Sequence, residues 1–153
     1  MKKTILSFVL CFFVNFCFAD MKILKINQSH YMSPYNKNPW DRNLCNKWVL
    51  NASQIEKIFL LSDKYKEMGG TMTGFWLWFP CEITGELIYN KKKWHFSINA
   101  AATAEWSNGK ETIYWGCSRE KCDDMFILPY PGRNYIGGGG KLIWWRGRFS
   151  SWF

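Results

Sequence analysis

Few side chains here can do chemistry, and they fall in a pattern. Cys45, Cys81, Cys117 and Cys122 lie downstream of an apolar amino terminus, His30 and His95 are the two histidines, and tryptophan is in surplus at ten residues. Four thiols can pair in three ways, and in a chain read below as exported an even set reads as disulfides. The Cys117-Ser-Arg-Glu-Lys-Cys122 spacing is short enough to close on itself, so the expected bridges are Cys117–Cys122 and Cys45–Cys81. Zinc is the competing use of four thiols, but there is no close Cys-x-x-Cys pair and only two imidazoles are present, so no metal site is expected. The Ser118-Arg-Glu-Lys121 stretch matches a serine–lysine acyl-transfer pattern, yet it lies between two cysteines in a chain far too short for that fold. Residues 137–141 have the glycines of a phosphate loop without their spacing, and Leu142 stands where a Ser or Thr would hold magnesium. His95 has no nucleophile or orienting carboxylate beside it in the sequence. No catalytic residue and no cofactor is expected, and the chain reads as non-enzymatic.

Binding is the chemistry that remains. Trp76 and Trp78 lie two apart in an alternating run, on a face that turns polar at Glu82 and Thr84, and so could form an exposed platform able to stack on sugar rings or anchor a protein. Trp144, Trp145, Arg146 and Arg148 form a second aromatic and basic cluster near the carboxy terminus, suited to an acidic partner or an anionic membrane surface. His95 and Asn99 are expected on the outward face of a strand.

The elements that position these residues are legible from patterning. Lys2 and Lys3, the apolar run 4–18 and the small residues Cys17 and Ala19 make a signal peptide cleaved after Ala19, too short to span a bilayer, which needs about 20 residues. Cleavage after residue 19 of 153 leaves 134 residues, removes Cys11 and Cys17, and lowers the net charge from +8 to +6. The protein is therefore expected in the periplasm or outside the cell, where nucleic acid is not a partner. Residues 20–51 read as extended segments and turns, and Ser53-Gln54-Ile55-Glu56 as a capping box opening one amphipathic helix over 54–67. Period-two alternation follows. Phe75, Leu77, Phe79, Cys81 and Ile83 are expected inward on one strand, and Trp94, Phe96 and Ile98 on the next. Asn108-Gly109 marks a further hairpin. The fold class expected is α+β: an antiparallel meander of about five to six strands, with one helix on one face and disulfide staples. Residues 20–136 form a single domain, and 137–153 a glycine-rich joint and basic aromatic tail.

Over residues 53–128 the chain resembles small exported bacterial proteins that serve as periplasmic immunity proteins against antibacterial toxins. The resemblance rests on the Phe79-Pro80-Cys81-Glu82-Ile83-Thr84-Gly85 stretch, on Lys93 with Trp94-His95-Phe96-Ser97-Ile98-Asn99-Ala100, and on Trp115-Gly116-Cys117 with Cys122. It implies a non-enzymatic inhibitor that covers a toxin's active cleft, its basic surface and aromatic anchors pairing with an acidic toxin. The alternative expectation is a cell-envelope glycan-binding module using Trp76 and Trp78.

Overall fold

The computed structural model describes residues 21–32, 38–67 and 76–132. The signal peptide, Phe75 and everything after Gly132 lie outside the described residues. The α+β architecture is as expected, and the described residues hold seven strands and two α-helices where the patterning predicted about five to six strands and one helix. In chain order the elements are β1 (Met21–Ile26), β2 (His30–Tyr31), α1 (Pro39–Lys47), α2 (Ala52–Leu61) and β3 (Asp63–Tyr65). Then follow β4 (Cys81–Tyr89), β5 (Lys92–Asn99), β6 (Thr103–Ser107), β7 (Thr112–Gly116) and a 3-10 helix at Glu120–Met125.

Strands β4 to β7 form the meander, each antiparallel to the next. β1 extends the sheet beyond β4, β3 extends it beyond β7, and β2 pairs with the start of β4. Alternation decides which face is buried: Cys81, Ile83 and Leu87 of β4 share the core with Trp94, Phe96 and Ile98 of β5. Helix α2 covers that face with Ile55, Ile58 and Phe59. The Phe59 ring meets Trp106 edge-on at 4.9 Å and Trp115 at 5.6 Å. Trp106 in turn lies 4.6 Å from Trp115 and 5.8 Å from Trp94. Much of the tryptophan surplus is thus core, where each aromatic pair adds about 0.5–1.5 kcal/mol beyond its area. Trp48 is buried too, its indole N–H donating to the Met125 carbonyl at 2.9 Å.

Local chemistry shapes the joins. Asn90 and Lys91 both have positive φ (49° and 63°), the two-residue turn whose twist suits a tight hairpin. Gly85 is required by a close approach: a Cβ there would meet the Lys25 carbonyl oxygen at 2.2 Å, beside the irregularity between Ile23 and Lys25 of β1. The Cys45–Cys81 bridge ties α1 to the start of β4, and Cys117–Cys122 closes the turn into the 3-10 helix, the two expected pairings.

Several expectations are corrected. Helix α2 starts from Asn51, not Ser53: the Asn51 side chain accepts from the Gln54 N–H while the Gln54 side chain accepts from the Asn51 N–H. It ends at Leu61 rather than 67, because Asp63–Tyr65 is drawn off as an edge strand on β7 and Arg119 donates to the Leu61 carbonyl at 2.7 Å. Residues 21–50 hold two strands and helix α1, whose start is marked by the Asn38 cap and Pro39. The strand expected from Phe75 begins only at Cys81. Pro80 has no N–H to give the ladder, and the Cys81 N–H turns back onto the Phe79 carbonyl at 2.7 Å. Leu77, expected inward, is therefore exposed.

Candidate functional site

Because α2 covers one face of the sheet, the residues alternating with the core point to the other, and most of these are polar. Register sets them in rows: His30, Glu82, Asn99 and Thr103 in the first, and Thr84, Ser97, Glu105 and Tyr114 in the second. Lys25, Glu86, His95, Ser107 and Thr112 make the third. A shallow depression of about 350 Å³ opens over the second and third rows, with Lys25, Thr84, Glu86, His95, Ser97, Glu105 and Ser107 on its walls.

Register also places Asp63 of β3 on this face, in the row of Glu82, so three of its four carboxylates are engaged, Asp63 by Arg119 at 3.3 Å. Glu82 accepts the Ser97 hydroxyl on one oxygen and lies 3.1 Å from His30 Nε2 on the other. The Lys93 ammonium lies 2.9 Å from Glu86, and His95 Nδ1 lies 3.7 Å from it. The hydrogen bond from Lys93 holds the Glu86 carboxyl below the usual carboxylate range; partial desolvation opposes this, and the charges of Lys93, His95 and Lys25 reinforce it. The Thr84 hydroxyl oxygen accepts from the Asn27 amide at 2.9 Å. Across the first two rows the carboxylate of Glu82 stands between Ser97 and His30, an order in which the imidazole cannot take the serine proton. Among the described residues no group of three or more His, Cys, Asp or Glu is placed to hold a metal ion.

The expected binding residues separate. His95 is exposed on the open face, as alternation predicted. Asn99 is buried, at 8% exposure. Its side chain accepts from the Phe79 and Ala101 N–H groups and donates to the Phe79 carbonyl, so it clasps the loop before β4 rather than facing a partner. Trp76 and Trp78 do not make a two-indole platform. The Trp76 ring lies over Gly116, where a Cβ would meet it at 2.4 Å, and its centroid is 4.6 Å from that of Tyr130; Trp78 alone is largely exposed, at 61%. Beyond Tyr130, Tyr65 has its phenol pKa raised by desolvation and by the neighbouring Asp63 and Tyr130. Trp144, Trp145, Arg146 and Arg148 lie outside the described residues.

No family model, curated protein or solved structure matches this chain. Two further features of the described residues have no counterpart in the sequence patterning. Trp40 on α1 is 77% exposed, and the cue for it was the Asn38-Pro39 helix start. The described residues hold 13 Lys and Arg against 11 Asp and Glu, out of 20 and 12 in the whole chain, so the expected basic surface is not a property of the folded sheet. No helix among the described residues is long and apolar enough to cross a membrane, and the two disulfides suit an oxidising compartment.

Proposed function

We propose that this is an exported, non-enzymatic binding protein of the immunity type, working in the periplasm after cleavage at Ala19 and neutralising a toxin by covering its active site. The observation that carries the reading is the open polar face: a broad sheet surface presented on a scaffold made rigid by α2 behind it and disulfides at two of its ends. A depression this wide and shallow suits protruding side chains of a macromolecule better than enclosure of a small substrate, which calls for a deep and mostly apolar cleft. A sheet of this size can supply the roughly 800 Å² per partner of a standard interface. The resemblance over residues 53–128 points the same way.

The test is survival. The gene beside this one should encode a periplasmic toxin, and cells co-expressing that toxin with the full chain should live; a neighbour that encodes no toxin, or killing undiminished by the chain, would overturn the immunity reading. Retention on peptidoglycan that Trp78→Ala abolishes would instead assign the glycan-binding function, for which the exposed Trp78 ring is the remaining support.

A further inference from the structure

Glu105 differs from the other carboxylates of the open face. Glu82 is engaged by His30 and Ser97, and Glu86 by Lys93 and His95, whereas Glu105 makes no ion pair or side-chain hydrogen bond among the described residues. It is only partly exposed and stands in the wall of the depression, one strand from Ser97 and one turn of alternation from Ser107. The cations nearest the depression, Lys25 and Lys93, gather with His95 around Glu86, on the β1 side. Among the described residues the β6 side is left with an unbalanced negative charge, and a carboxylate without a counter-ion there attracts a cation that can reach it.

The neighbouring hydroxyls narrow the cation. Ser97 gives its hydrogen to Glu82, so its oxygen is left presenting lone pairs, and Ser107 adds a second hydroxyl beside Glu105. A guanidinium matches this set: its planar fork can pair two N–H groups with one carboxylate and keep others for the hydroxyl oxygens, and it loses hydration more easily than an ammonium. We propose that Glu105 is the anchor for an arginine side chain presented by a protein partner, seated in the depression between Ser97 and Ser107. This rests on the reading of the open face as the binding surface, and names the partner's chemistry there.

The experiment needs no toxin. The oxidised full-length chain, labelled with ¹⁵N, is titrated with N-acetyl-arginine methylamide and, separately, with the citrulline analogue, its uncharged near-isostere. Saturable shifts centred on the amides of Ser97, Glu105 and Ser107 with arginine, absent with citrulline, are expected. Glu105→Gln should weaken arginine binding about tenfold or more, as loss of a charge-assisted pair does, while Glu56→Gln on helix α2 leaves it unchanged. No saturable shift in the native protein, equal response to citrulline, or arginine binding undiminished in Glu105→Gln would each overturn the proposal. Failure here with survival intact in the toxin assay removes the arginine anchor alone; arginine binding without protection keeps the anchor and removes the immunity function.

Discussion

Asn99 shows how one amide can organise a join. With two acceptor bonds from the Phe79 and Ala101 N–H groups and donors to the Phe79 and Cys81 carbonyls, it substitutes for the ladder that Pro80 interrupts. Asn99→Ala would leave several partly buried backbone groups unpaired and should cost about 2–3 kcal/mol, read as a lower urea midpoint by circular dichroism. Alternation alone cannot distinguish such a residue from a solvated one, because it gives the face and not what lies above it. At Glu86 the sign of the pH effect follows from the lowered pKa: its pairing with Lys93 contributes fully above the ordinary carboxylate pKa and is lost as the pH falls through the folded value. Titration of the Glu86 side-chain carbon by NMR should give a midpoint below the usual carboxylate range in the native protein. Lys93→Met should raise it toward that range, and an unchanged midpoint would show that the ammonium is not the cause.

Elements differ in how plainly they were written. The meander from β4 to β7 was legible because its alternation coincides with its burial, and α2 because Ile55, Ile58 and Phe59 repeat at helical spacing. The edge strands were not: β2 and β3 hold two and three residues, too few to show a period, and both exist only because a partner strand lies alongside. The open face was half legible, in that His95 could be placed outward, but Glu82, Glu86 and Glu105 become a group only through cross-strand register. The two staples should differ in effect at this scale. Cys45–Cys81 joins residues 36 apart and Cys117–Cys122 residues 5 apart, so the loop-closure model assigns about 4 and about 2 kcal/mol respectively. Replacing each pair with alanines and comparing urea unfolding should reproduce that order; equal losses would mean that native packing, not loop length, sets their worth.

At the scale of the whole molecule, compartment and processing can be read from one number. If export is followed by cleavage at Ala19, the four remaining cysteines are all bridged and a thiol titration of the purified, denatured protein should find none free. Two free thiols would mean that Cys11 and Cys17 are still attached or that one staple is open, which the mass of the chain separates, and four or more that at least one staple does not form in the cell. The strand order carries a consequence in time as well. β1 and β2 pair with β4, β3 pairs with β7, and Phe59 of α2 packs on rings of β5, β6 and β7, so each of the three strands before residue 66 finds its partner strand only after residue 80. A chain released amino terminus first thus has no strand to pair with until its second half is free. The sheet closes only when β7 arrives to take both β3 and α2.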